Sequence, residues 1–172
     1  NGWSPRNVRL SGGDQCGAGS CHCLEVNGQC ILVDCGLQQG RGEVSNDTIP
    51  FEANDIVFVL VTHAHIDHTG RIPMLVKQCF QGRIVATRLT ADLMDIMLQD
   101  SAHIQEQDAE WKHRKAERSG APRTEPLYTL EDAQRVRQYM TTCEYHQVVD
   151  LSLVHLSGAH EPRGNLQCRP PP

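Results

Sequence analysis

The sequence predicts a mixed α/β fold, and three observations predict it. Ile56-Val57-Phe58-Val59-Leu60-Val61 is an unbroken apolar run with the length and β-branched content of a strand buried on both faces. Ahead of it, Ser20 to Val26 and Gln29 to Cys35 are short strand-like runs joined by Asn27-Gly28, a dipeptide that supplies the positive φ angles of a tight hairpin turn. Behind it, apolar residues recur at helical spacing, so strands, then helices, then strands follow one another along 172 residues.

Between hairpin and buried strand, Gly36 to Asn54 is rich in glycine and polar residues and reads as a long surface loop. Gly70 to Phe80 places Ile72, Leu75, Val76 and Cys79 at helical spacing, with Pro73 near the start where proline is tolerated. Arg83 to Ala86 is a short strand. Thr90 is a good N-cap for a long helix running to about Arg118, with Leu93, Met94, Ile96, Met97 and Leu98 early and charges later, so its second half is expected to face solvent. Gly120 to Pro126 breaks that helix. Thr129-Leu130-Glu131-Asp132 opens another with an acid at the capping-box position, and Val148 to Leu156 returns to strand-like alternation. There is no internal repeat.

With 39% apolar, 22% charged and 5% aromatic residues, the composition is that of an ordinary globular protein. The net charge of -5 argues against a surface basic throughout, so nucleic-acid contact would need a local patch. No apolar run reaches membrane length, and no apolar signal segment stands at the start. Eight cysteines raise the question of a disulfide framework, but chain length and the missing signal favour a reducing cytoplasm. Cys21 and Cys23 share one face of a strand, with no matching cysteine pair after them, and are expected to be small core residues rather than zinc ligands. The absence of an initiator methionine and the closing Gln167-Cys168-Arg169-Pro170-Pro171-Pro172 suggest a chain incomplete at both ends: a partial domain over 1–160 and an irregular tail over 161–172.

The chemistry concentrates at the C-terminal end of the buried strand, in His63, His65, Asp67 and His68. In an extended loop His63 and His65 project to one side and can hold one ion; Asp67 continues that side and His68 turns away. Four ligand-type residues in six positions can thus supply two ions, one held by His63 and His65 and the other by Asp67 and His68, with zinc the expected metal. A merely solvated loop is the bland alternative, and four such residues directly after a buried strand speak against it. Asp100, His103 and Glu106, at helical spacing, are expected to form a solvated face. His22, His113, His146 and His155 have no motif around them and are taken as structural.

His63-Ala64-His65-Ile66-Asp67-His68 resembles the His-x-His-x-Asp-His motif of the metallo-β-lactamase fold hydrolases. Its continuation, Thr69-Gly70-Arg71-Ile72-Pro73, is similar to the β-CASP branch, the nucleases of RNA maturation and decay. Leu32-Val33-Asp34-Cys35-Gly36-Leu37 resembles the family's first motif, whose aspartate, here Asp34, supports the metal loop by hydrogen bonding. The stretch from Thr90 through Glu106 is similar to the helix that follows in prokaryotic members, and the whole likeness covers most of residues 8–156.

The resemblance implies an α+β sandwich, here a partial αββα fold, and a centre of two zinc ions. The family's third histidine for the first metal stands in an Ala-Gly-His context. His160 in Gly158-Ala159-His160 is the candidate, although the order differs and Glu161-Pro162-Arg163-Gly164 replaces the usual continuation. The family's bridging aspartate, final histidine and β-CASP insertion are expected beyond Pro172. The implied activity is zinc-dependent hydrolysis of RNA phosphodiester bonds by a metal-activated water, with Asp67 the catalytic carboxylate and this chain alone weak or inactive. Exonuclease and endonuclease remain open, RNA is the expected partner, and a homodimer is left open. The alternatives are a metallo-hydrolase of a small thioester, lactam or phosphodiester, and a non-catalytic RNA-associated subunit.

Overall fold

The computed structural model describes residues 8–12, 19–26, 29–38, 46–49, 51–117 and 124–151. Among the described residues six strands make one sheet in chain order: β1 (Val8–Gly12), β2 (His22–Val26), β3 (Gln29–Val33), β4 (Ile56–Leu60), β5 (Arg83–Thr87) and β6 (Met140–Cys143). The β1, β2 and β3 strands run antiparallel, and β3 through β6 run parallel. Val26 pairs with Gln29, the register of a two-residue hairpin, as the sequence predicts; Asn27 and Gly28 themselves lie outside the described residues. Antiparallel strands need only that turn, whereas each parallel pair needs a crossover, and the crossovers carry the functional loop and the helices.

The β4 strand is buried on both faces, as its apolar run requires. Ile56, Val59 and Val61 pack into the large core beneath the helices, while Val57 and Phe58 join Ile31 and Val85 on the opposite face. Among the described residues four α-helices accompany the sheet: α1 (Ile66–Thr69), α2 (Ile72–Lys77), α3 (Arg88–Glu117) and α4 (Leu130–Arg135). One mixed sheet with a helical layer bears out the α/β expectation.

Boundaries differ from expectation where local chemistry decides them. The α2 helix is shorter than Gly70 to Phe80 because Cys79 adopts φ 68 and ends it in a Schellman cap: Cys79 N–H donates to the Val76 carbonyl at 3.2 Å and Phe80 N–H to that of Leu75 at 3.0 Å. The α3 helix starts at Arg88 rather than after Thr90, and Thr87 Oγ1 accepts from the Thr90 N–H at 3.4 Å, so the capping role passes to the last residue of β5. Its buried face is Met94, Leu98, Ala102 and Ala109, while Leu93 and Ile96, counted among its apolar residues, face outward. Asp100 and His103 are exposed as expected, but Glu106 is not part of a solvated face: it accepts from the Leu130 N–H at 2.9 Å and ties α3 to the start of α4. Thr129 and Asp132 form the predicted capping box there.

Two expectations are corrected. Of Val148 to Leu156, residues 148–151 form no strand and 152–156 lie outside the described residues; among the described residues the last strand, β6, forms earlier, at Met140–Cys143. Pairing placed β6, since Ile84 to Thr87 of β5 offer a parallel edge to Met140 through Cys143, whereas Val148 is 91% exposed. Cys21 and Cys23 are core residues as expected, but Cys23 is also joined to Cys30 in a disulfide. Cys23 pairs with Leu32, so Cys30, two residues from Leu32, lies on the same face of the next strand, with Cα atoms 6.0 Å apart.

Candidate metal centre

Beyond β4, Val61 N–H still donates to Val85 at 2.9 Å, and His65, the N-cap of α1, is extended with φ -61 and ψ 147. His63 and His65, two residues apart, lie close enough for their rings to meet edge to face with centroids 4.8 Å apart. From Ile66 the chain turns helical, and each residue then rotates about 100° instead of alternating. The expected geometry is therefore corrected: His68 does not turn away but folds back onto His63, ring centroids 3.9 Å apart.

A buried carboxylate underlies this cluster. Asp34 ends β3 in the left-handed region, φ 61, which aspartate tolerates better than most residues, and its side chain is 3% exposed. It accepts from Thr62 N–H at 2.8 Å, from Thr62 Oγ1 at 2.8 and 3.0 Å, and from His68 Nδ1 at 2.8 Å. A carboxylate with these donors around it keeps the His68 proton on Nδ1 and leaves the Nε2 lone pair free.

The loop after Asp34 is zipped to the motif by backbone bonds. Cys35 N–H donates to His68 at 2.8 Å, Leu37 N–H to Ile66 at 2.9 Å, Ser20 N–H to Asp67 at 2.7 Å and Arg71 N–H to Cys35 at 2.9 Å. Gly36 lies so close to the Asp67 carbonyl that a Cβ there would collide with it. Arg71, 4% exposed, donates through Nε to the Gly36 carbonyl at 2.6 Å and through Nη1 to that of Thr48 at 3.3 Å. Thr69 Oγ1 donates to the His65 carbonyl at 3.0 Å. Cys21 and Cys35 sit beneath this loop: the Cys35 thiol donates to Cys21, which lowers the Cys21 pKa, while the same bond and burial push Cys35 well above the usual thiol value. A cleft of about 650 Å³ beside Leu37, Ile66 and α3 is lined by none of His63, His65, Asp67 or His68 and is separate from the cluster.

The family model described as "Metallo-beta-lactamase superfamily" matches residues 14–158. The chain belongs to the metallo-beta-lactamase superfamily. Among curated relatives of this superfamily, it is 31% identical to ribonuclease TTHA0252 of Thermus thermophilus, over 81% of this chain and 28% of that protein. It is 26% identical to endoribonuclease YSH1 of Gibberella zeae, over 86% of this chain and 17% of that protein. It is 29% identical to cleavage and polyadenylation specificity factor 73 of Drosophila melanogaster, over 83% of this chain and 19% of that protein. The chain thus spans less than a third of the length of these relatives, and their names bear out the resemblance to the RNA-processing branch. Among solved structures, the subclass B3 metallo-beta-lactamase BJP-1 of Bradyrhizobium japonicum is 27% identical over 44% of this chain, with a TM-score of 0.34.

Membership of the metallo-beta-lactamase superfamily implies dependence on divalent metal, and the donor set is chemically suited to it. His68 Nε2 and Asp67 Oδ2 are 3.7 Å apart, within the span of about 4 Å open to two donors that each lie about 2.0–2.2 Å from one zinc ion. Among the described residues, however, no three ligand-type side chains converge as a finished cage. His160 lies outside the described residues. Thr62 and Arg71 hold the cluster in place, yet the motif that contains or precedes them does not disclose what they bond to. The signal for each is only its position, one residue before the first histidine and three after the last.

Proposed function

We propose that this chain carries the first half of a dinuclear zinc centre in a hydrolase that cleaves RNA phosphodiester bonds. The observation that carries it is the Asp34-anchored cluster: one buried carboxylate fixes the Nδ1 proton of His68, and Asp67 stands 3.7 Å from the nitrogen left free. In this assignment His63 and His65, with His160, hold one ion, and Asp67 and His68 take part in the other. When bound, the ions lower the pKa of a water toward neutrality and draw charge from the phosphate oxygens. Asp67, whose side chain is 43% exposed, is the carboxylate that accepts a hydrogen bond from the attacking water and orients it toward phosphorus. Asp34, buried and fully occupied by donors, only positions. The RNA-cleaving relatives support this choice of substrate over a thioester or lactam.

Among the described residues no helix is long and apolar enough to cross a membrane. An RNA substrate suits a cytoplasmic location. The test is zinc content together with cleavage of labelled single-stranded RNA by the full-length gene product. Asp67→Ala should lower cleavage by more than about 100-fold, beyond the 10–100-fold typical of groups that only support a ligand. Zinc binding with hydrolysis confined to small thioesters or lactams would transfer the site to the small-molecule alternative. Zinc-independent behaviour with no hydrolysis at all would leave the non-catalytic subunit.

A further inference from the structure

Asp34 acts on His68 directly, and the hydrogen bonds around it extend one residue further. We infer that Thr62 is a positioning residue whose hydroxyl fixes the tautomer of His63, so that one buried carboxylate sets the free nitrogen of two histidines. Thr62 Oγ1 lies 2.8 and 3.0 Å from the two Asp34 oxygens. An ionised carboxylate only accepts, so the single hydroxyl proton of Thr62 is committed to Asp34. Thr62 N–H also donates to Asp34, at 2.8 Å, which holds the residue's backbone and leaves the hydroxyl little freedom to swing away.

What Thr62 Oγ1 has left is lone pairs, and one of them faces His63 Nδ1 at 3.0 Å. That contact is a hydrogen bond only if Nδ1 carries the proton and donates it. His63 is then left with a bare Nε2, the same state that the direct bond from His68 Nδ1 to Asp34 produces in His68. A neutral imidazole in water prefers its proton on Nε2, so without the hydroxyl His63 would have to move a proton before Nε2 could bind anything. His65 makes no hydrogen bond through its ring among the described residues and serves as an internal control. The relay spans two strand ends, from the residue after β3 to the second residue after β4, and the parallel pairing of β3 with β4 keeps it in register.

The consequence for metal binding rests on the proposed zinc centre; the tautomer does not. Ring ¹⁵N NMR of the metal-free chain, at a pH well above the imidazole range, reads each histidine separately. His63 should carry its proton on Nδ1. Thr62→Val, which keeps the branched shape and loses the hydroxyl, should move it to Nε2 while leaving His65 and His68 unchanged; Thr62→Ser should restore the wild-type state. Zinc competition against a chelator should show affinity about 10-fold weaker in Thr62→Val, the low end for loss of a group behind a ligand, and near wild type in Thr62→Ser. A wild-type His63 with its proton on Nε2 overturns the inference, and that measurement needs no variant to fold. An unchanged His63 tautomer in Thr62→Val also overturns it. A shifted tautomer with unchanged zinc affinity upholds the role of Thr62 and removes His63 from the ligand set.

Discussion

Replacing Asp34 by Asn changes one atom and one charge at the base of the cluster, which makes it the sharpest single perturbation available. Asparagine tolerates the φ of 61 at this position, so no backbone strain is added. Its remaining oxygen can still accept from Thr62 N–H, as Oδ1 does now at 2.8 Å. The NH₂ group, however, takes the place of Oδ2, which accepts from Thr62 Oγ1 and His68 Nδ1, each at 2.8 Å. Two charge-assisted bonds at about 1.5–3 kcal/mol each are exchanged for weaker or reversed ones of about 1 kcal/mol, a loss of about 1–4 kcal/mol in stability. The amide donor now faces His68 Nδ1, so the ring relaxes by carrying its proton on Nε2, the nitrogen proposed to bind metal. Urea denaturation should show a lower midpoint at unchanged slope, and zinc affinity should fall about 10–100-fold. A stability change under about 0.5 kcal/mol, with His68 still protonated on Nδ1, would refute the assignment of Asp34 as the anchor.

Gly36→Ala would drive a methyl group into the Asp67 carbonyl and 2.6 Å from His68 N, so the loop must move; we expect about 1–3 kcal/mol of destabilisation and weakened zinc uptake, read by melting and metal titration. Full zinc stoichiometry in a stable Gly36→Ala variant would show that this close approach does not matter. Tyr128→Phe should cost about 1 kcal/mol through loss of the 2.9 Å bond to Ser101, measured by denaturation near neutral pH. Burial raises the Tyr128 pKa, so the folded chain keeps its proton where the unfolded chain has lost it. The stability of the wild type should therefore fall as pH rises past the ordinary tyrosine value of about 10, and the difference between wild type and Tyr128→Phe should shrink there.

Several features were legible because they depend on neighbours in the sequence. The Val26 to Gln29 register follows from the short gap between two strand-like runs, the capping box at Thr129 is complete within four residues, and Ile56 to Val61 is a uniformly apolar run suited to an inner strand. The strand at Met140–Cys143 was not legible, because its short Met-Thr-Thr-Cys run gains its identity only from the free edge of β5. Likewise Cys23 met Cys30 only because two strands paired in one register, and Glu106 left the solvated face of α3 only because the first turn of α4 came within reach of it.

By itself the sequence determined the types of the candidate ligand residues, their spacing and their place at the end of a buried strand, because a short motif following an apolar run is a local fact. Only the tertiary structure decided which way His68 faces, since α1 begins inside the motif and turns the ring back over His63. It alone showed that Asp34, 34 residues before His68, reaches both that ring and Thr62. The physical reason is that hydrogen-bond partners distant in sequence are set by strand register and loop closure. The side chains name the possible donors and acceptors, and the packed sheet selects the pairs.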